Sequence, residues 1–393
     1  MDFTFTEEQQ AAVEAARAVF SDVAPDGAPS PALTPGAVAE DIDRQLWHEL
    51  ARTDLLGLTL SPDHGGAGLD PIALCLVLRE SAKVLARVPL LESCAVAMAI
   101  ERYGDRTLAA ELLPRAGRGE LILTVGANGR SGHDPAELAV SARPYESGDG
   151  AGEGETDGSA GGSGWVLDGV QSAVPWAQAA DWIAVPAHTA GGRPVLALVP
   201  RTRDGVTLAD QVSTNGERLA EVRLDAVRVE ARELIDAAGC WDWLRSLLTT
   251  GTCALALGLG ERVLAMTAEY TGKREQFGFP VATFQAVAVQ AADRYIDLRA
   301  MEATLWQAAW RISTDTGGPL PAAGDVAVAK IWASDGVRRV VQTAQHLHGG
   351  FGADTDYPLH RYHAWAKQIE LSLGPAAAHE EALGDLLAAH PLG

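Results

Sequence analysis

Apolar residues recur at three- and four-residue spacing from Thr6 to about Gly117. They change to short continuous or alternating runs from about Glu120 and return to the helical period after Val229. Segregated runs of this kind predict an α+β chain with a separate β unit, divided as 1–119, 120–228 and 229–393. The first part opens on Thr6-Glu7-Glu8-Gln9, a capping box, and breaks at Pro25 to Pro35. Two amphipathic helices follow, Asp43 to Leu56 and Pro71 to Val88, with the glycine-rich turn Ser61 to Gly68 between them. Strands are predicted at Leu121–Val125, Glu137–Ala142, Trp165–Leu167, Trp182–Val185 and Val195–Val199. The acidic Gly/Ser stretch at about 144–164 is too poor in apolar residues to be ordered by burial and reads as a mobile hairpin tip. Long alanine-rich helices are predicted over Trp241–Lys273, Thr283–Thr314 and Asp325–Leu347, and a last one from Leu359 to about His390.

Composition narrows the function classes. The chain of 393 residues is 47% hydrophobic and 21% charged, which excludes disorder for most of it. Its net charge of -21 is spread along the sequence and argues against nucleic acid or an anionic membrane as partner. Cys75, Cys94, Cys240 and Cys253 lack C-x-x-C spacing and predict buried free thiols, with no metal site. No basic, apolar leader opens the sequence, and no stretch approaches the roughly 18 apolar residues of a membrane span. The predicted location is the cytoplasm. No G-x-G-x-x-G follows a strand, so a Rossmann site is not expected.

Two segments about seventy residues apart carry the candidate chemistry. Arg274-Glu275-Gln276-Phe277-Gly278-Phe279-Pro280 runs on to Phe284-Gln285, joining two predicted helices by a tight turn around a guanidinium suited to phosphate oxygens. Gln345-His346-Leu347-His348-Gly349-Gly350-Phe351-Gly352 ends a helix on paired glycines, which let a ligand approach the backbone closely. Together they resemble the R-x-Q-F-G-x-P-x-x-x-F-Q and Q-x-x-G-G-x-G flavin signatures of the acyl-CoA dehydrogenase family. The Gly65-Gly66-Ala67-Gly68 turn resembles that family's G-G-x-G loop.

The resemblance implies N-terminal helices, a middle β-barrel-like domain and a C-terminal four-helix bundle. It implies FAD as cofactor, bound through Arg274, Gln276, Phe277, Phe284, Gln285, Gln345, His348, Gly349 and Gly350. In tetrameric members these motifs serve the FAD of a neighbouring subunit, while the flavin ring lies against its owner's β domain. There the chain departs from the family's T-E-P-x-A-G-S-D stretch: within Thr124 to Asp134 only Thr124, Ser131 and Asp134 can be matched, and the flavin loop reduces to Val174-Pro175-Trp176-Ala177.

Removing an α-proton needs a carboxylate opposite the flavin. The family's glutamate position falls on Leu373, and the alternative position used by branched-chain relatives falls on Leu248. Glu370, one turn before Leu373, and Asp242 are the nearest acids. His346, His348, His360, His363 and His379 show no metal-ligand spacing.

The expected function is therefore a subunit of an α2β2 acyl-CoA dehydrogenase with a homologous partner that owns the base. An acyl-CoA thioester, including bulky steroid side chains, is the expected substrate and electron-transferring flavoprotein the acceptor. The ending Leu373 to His379 is similar to the non-catalytic partner type. Alternatives are an autonomous homotetrameric flavoenzyme using Glu370 and a flavin-free structural partner.

Overall fold

Carboxylate and hydroxyl caps start most of the N-terminal helices. The computed structural model describes residues 4–131, 137–145, 164–314 and 316–391. The helices are α1 (Glu7–Phe20), α2 (Arg44–Arg52), α3 (Pro71–Ala82), α4 (Leu90–Tyr103) and α5 (Arg106–Gly117). Thr6 and Gln9 form the expected reciprocal box, and Asp43, Asp70 and Asp105 each accept a hydrogen bond from a first-turn amide. The Pro/Ala/Ser segment after α1 is pinned from the far end of the chain. Ser30 Oγ lies 2.6 Å from His360 Nδ1, and Arg361 donates to the carbonyls of Asp26 and Ala28.

The middle unit is one mixed sheet of eight strands: β1 (Leu123–Val125), β2 (Val140–Tyr145), β3 (Gly164–Pro175), β4 (Trp182–Thr189), β5 (Pro194–Pro200), β6 (Val206–Val212), β7 (Arg218–Glu230) and β8 (Leu234–Ile235). Their order is β6-β7-β3-β2-β4-β5-β8, with β1 adding in parallel beside β4. The end strands β6 and β8 do not pair, so the sheet stays open. The strands extend to Ile235, a few residues past the expected boundary at 228. β3 is far longer than its predicted Trp165–Leu167 core because irregularities between Leu167 and Gly169 and between Gln171 and Val174 break the simple alternation. Asp134 and residues 146–163, the core of the expected hairpin tip, lie outside the described residues.

After a short two-stranded hairpin, β9 (Glu275–Gln276) with β10 (Phe279–Pro280), the C-terminal helices complete the fold. These are α6 (Cys240–Lys273), α7 (Gln285–Thr314), α8 (Ala322–His348), α9 (Leu359–Leu371) and α10 (Ala376–Ala389), with α6, α7 and α8 mutually packed and α9 and α10 laid against α8. The last predicted helix is thus two helices. Leu373 at φ +58° and Gly374 at φ +99° turn the chain, and Pro375 cannot continue a helix. All four cysteines are free and buried. α6 is apolar and long enough to cross a membrane, but 78% of its most apolar window is buried inside the protein, as in a core helix.

α6 meets α3 at unusually short range. A Cβ at Gly258 would sit 1.9 Å from the Arg79 carbonyl oxygen. Around this contact Arg79 pairs with Glu261, its Nε 2.9 Å from the carboxylate, and reaches Glu302 at 3.5 Å. Gly258→Ala is expected to force the helices apart and cost about 3 kcal/mol of stability despite the better helix propensity of alanine, as measured by denaturant unfolding.

Candidate functional site

The structure builds two distinct candidate surfaces. One is a cavity of about 360 Å³ bounded by α3 and α4, by the β1 and β3 side of the sheet, and by α6 with the end of α9. Leu248 and Leu373, the two positions where the family's acid was expected, both line it. They are far apart in sequence and converge because α9 lies against α6. Both positions therefore present an apolar side chain to the cavity, as the sequence predicts. Glu370 is not among the lining residues; its carboxylate pairs with Lys367 at 2.7 Å and approaches Arg338 at 3.8 Å. Asp242 is exposed and does not line the cavity.

The turn carrying Leu373 is held by two buried bases. Lys330 Nζ, 1% exposed, donates to the carbonyls of Ile369 and Glu370 at 3.0 Å each and to Ser334 Oγ at 2.9 Å. These carbonyls end α9 and have no partner within the helix, so an ammonium there satisfies both hydrogen bonding and the helix dipole. Burial pushes the Lys330 ammonium down to about 8. His379 Nε2–H donates to the Leu373 carbonyl at 2.9 Å, and burial lowers its imidazole to about 4.

Sequence reasoning missed Glu92. It sits in the first turn of α4 and lines the cavity. Burial raises its carboxyl to about 7, opposed by its own backbone amide and by the indole N–H of Trp176. The only signal was a lone acid in the apolar run Leu90 to Ile100. Trp176 comes from the expected flavin loop and takes φ +57°, while Ala173 in the preceding irregularity takes φ +50°; both are sparsely populated conformations for such residues. Thr124, matched to the family's hydroxyl, is fully buried and donates to the Pro175 carbonyl at 2.6 Å. Ser131 lines the cavity and donates to Glu137 at 3.2 Å.

The second surface gathers both signature segments. Arg274 caps α6, and the β9–β10 hairpin turns on Phe277 (φ +54°) and Gly278 (φ +82°), a two-residue turn with both angles positive. Phe277 is 91% exposed, and Gln276, Phe284 and Gln285 are exposed beside it. Arg274 is exposed and has no ion-pair partner among the described residues. Tyr270, one turn before Arg274, stacks on His348 at 4.4 Å and on Phe351 at 5.2 Å, which fixes the end of α6 against the end of α8. His348 is buried with both ring nitrogens engaged: Nδ1–H donates to the Ala344 carbonyl at 2.8 Å and Nε2 accepts from Tyr357 at 3.1 Å. It anchors the Gly-Gly turn rather than presenting a free donor. Gln345 reaches the Gly349 carbonyl at 3.4 Å. Gly349 takes φ +58°, and the space around a Cβ at Gly349 or Gly350 is open. A guanidinium with no ion pair among the described residues and an open glycine turn, on helix ends joined by Tyr270, are groups of the kind that suit the pyrophosphate part of a dinucleotide.

Two family models match this chain: acyl-CoA dehydrogenase, N-terminal domain, over residues 6–120, and acyl-CoA dehydrogenase, C-terminal domain, over residues 248–387. The chain is 36% identical over 354 residues to acyl-CoA dehydrogenase FadE27 of Mycobacterium tuberculosis, covering 89% of each chain. Among solved structures it is similar to the ChsE4-ChsE5 complex from Mycobacterium tuberculosis, with TM-score 0.86, 34% identity and full coverage of both chains. A variant of the Tcur3481-Tcur3483 steroid ACAD aligns with TM-score 0.84, 36% identity and 98% coverage of each.

His379 makes the turn at Leu373 sensitive to acid. Its folded-state value of about 4 lies below the ordinary 6.5, so the neutral ring's contribution is complete above 6.5 and is lost as pH falls toward 4. The full span corresponds to about 3 kcal/mol. His379→Gln, which keeps a donor without titrating, is expected to show a smaller loss of unfolding free energy between about pH 7 and pH 4.5, by roughly 2 kcal/mol, in urea titrations.

Proposed function

Because the chain belongs to the acyl-CoA dehydrogenase family, we propose that it is the non-catalytic subunit of a hetero-oligomeric, flavin-dependent acyl-CoA dehydrogenase, assembled as α2β2 with a homologous partner. The observation that carries this reading is the contrast between its two surfaces. Leu248 and Leu373 stand in the cavity at both positions for the base, while the signature segments keep Arg274, Gln276, Phe277, Phe284, Gln285, Gly349 and Gly350 exposed, with His348 buried beneath them. A face of exposed apolar side chains, Phe277, Phe279, Phe284, Val289 and Ile296, runs from the hairpin along α7 and offers a surface for a partner chain.

In the assembled enzyme, bound FAD supplies the hydride acceptor. Arg274 pairs with phosphate oxygens, with Gln276 and Gln285 as polar neighbours. Phe277 and Phe284, whose rings stand edge to face at 6.4 Å, exclude water beside them. Gln345, Gly349 and Gly350 bring backbone close to the same group, held by the Tyr270–His348 stack. FAD held by these groups would supply the two-electron acceptor for α,β-dehydrogenation of the acyl-CoA, and the base that takes the α-proton would come from the partner chain. Similarity to the ChsE4-ChsE5 complex and to a steroid ACAD supports a bulky acyl group as substrate. Electron-transferring flavoprotein is the proposed acceptor.

The visible spectrum and the FAD content of the chain, expressed alone and with its partner, test this. The expected result is a colourless chain alone and about one FAD per two chains in the complex, because cofactor binding and assembly are coupled. A full FAD complement in the isolated chain, bleached by an acyl-CoA, would overturn it. Within the complex, Arg274→Ala is expected to weaken FAD retention by about tenfold to a hundredfold, the loss typical of one charge-assisted phosphate contact. Equilibrium dialysis with free FAD reads that loss without any turnover.

A further inference from the structure

The two signature segments sit on different helices, yet one aromatic cluster makes them a single surface. Tyr270 lies in the last turn of α6, and its carbonyl accepts from the Arg274 amide at 2.8 Å. Its ring stacks on His348, the last residue of α8, and on Phe351 beyond the paired glycines. Tyr357, from the loop before α9, closes the far side. Its ring centroid lies 4.5 Å from that of Phe351 and 5.3 Å from that of His348, and its hydroxyl is 3.1 Å from His348 Nε2.

The polarity of that last bond follows from its surroundings. His348 Nδ1 faces the Ala344 carbonyl at 2.8 Å and carries a proton there, so in the neutral ring Nε2 is left as an acceptor. Burial lowers the imidazole and raises the Tyr357 phenol, which favours a neutral acceptor meeting an O–H donor. Glu269 and Arg262, the charged α6 residues acting on Tyr357, push in opposite senses.

The Gly-Gly turn has little else to hold it. Of residues 349–356 only Gly352 is buried, and Gly349 takes φ +58°. The Asp354 amide bonds to the Phe351 carbonyl and the Tyr357 amide to the Asp354 carbonyl, so both bonds stay within the loop. A segment with so few buried contacts opens readily unless its ends are tied. The bond from Tyr357 to His348 ties them, closing residues 348–357 into a loop braced on α6. A ligand that meets this turn finds it already shaped, and less ordering is left to be done on binding.

We propose that Tyr357 and Tyr270 are positioning residues for the dinucleotide site: acting through His348, they hold the Gly-Gly turn in register with Arg274 before cofactor or partner arrives. This role rests on the FAD reading given above. Neither tyrosine is assigned a contact with the cofactor.

Two measurements separate the clasp from that reading. In the isolated chain without cofactor, hydrogen exchange of the Asp354 and Tyr357 amides is expected to quicken about fivefold in Tyr357→Phe, while amides in the core of α6 keep their native rates. In the assembled complex, with the oligomer intact by gel filtration, equilibrium dialysis is expected to show FAD bound about threefold to tenfold more weakly in Tyr357→Phe, the worth of one hydrogen bond, and by a similar factor in Tyr270→Leu. Variants of His348 distinguish positioning from packing. His348→Phe keeps a ring in the stack and loses both hydrogen bonds, whereas His348→Gln loses the ring and keeps an acceptor for Tyr357. Positioning predicts tighter FAD binding in the glutamine variant; a packing role predicts the reverse order. FAD binding weakened by Arg274→Ala but unchanged in Tyr357→Phe and Tyr270→Leu, the reverse order of the two His348 variants, or unaltered exchange in Tyr357→Phe would each overturn the positioning role alone. A native complex without FAD would sink the cofactor assignment, and this role with it.

Discussion

The close approach of α6 to α3 at Gly258 sets the positions of both functional surfaces. α6 runs 34 residues without a break, and only a residue lacking Cβ lets it lie against the Arg79 backbone. The charges around that contact are paired across three helices, Arg79 with Glu261 and Glu302, so the seam is polar at its edge and tight at its centre. Leu248, Thr252 and Leu255 then wall the cavity from one stretch of the helix, and Tyr270 and Arg274 reach the signature surface at its end. Leu248 and Arg274 are 26 residues apart, the difference of their numbers, which on a helix is about 39 Å. A rigid rod of this length separates Leu248 in the cavity from Arg274, the proposed phosphate-binding group of this chain. That separation supports a division in which each chain lends its outward surface to a neighbour.

Desolvation governs three ionisable groups around the cavity. Lys330, His379 and Glu92 are all moved toward their neutral forms, the two bases downward and the acid upward, with desolvation the largest cause in each. Lys330 and His379 act on backbone carbonyls and so keep the turn after α9 in one conformation. Glu92 instead takes its hydrogen bonds from its own backbone amide and from the Trp176 indole N–H, and so ties α4 to the segment after β3. At the signature surface Arg274 is exposed and has no ion-pair partner among the described residues, in a chain of net charge -21. A phosphate-bearing ligand would meet that guanidinium first.

Periodicity made the helix and strand blocks legible because most elements are long enough for their buried face to repeat. α6, α7 and α8 begin and end within a few residues of expectation for that reason. It failed where local chemistry overrides the period. The apolar spacing continues through Ser372 to Pro375, yet Leu373 and Gly374 adopt left-handed angles and Pro375 ends the run, so one predicted helix becomes α9 and α10. The alternation of β3 is hidden by its two irregularities. The signature segments were readable since each is contiguous in sequence. His348 was readable as part of the motif but not as a buried clamp, because its partners Tyr270 and Tyr357 come from α6 and the loop before α9. Glu92 joins the cavity only through tertiary packing, and a single acid in an apolar helix carries no spacing to recognise.

The two surfaces also differ in how they hold their shape. The outward one is built from exposed side chains on a short hairpin and a helix end, stiffened by aromatic stacking and by the backbone angles of Phe277, Gly278 and Gly349. Such a surface exposes apolar rings at a cost in water that only a covering partner removes. The inward one is enclosed on several sides by packed helices and the sheet, and its strained residues are Ala173 in β3 and Trp176 just after it, the latter bonded to Glu92. Strain of that kind persists only where the surrounding fold over-determines the backbone.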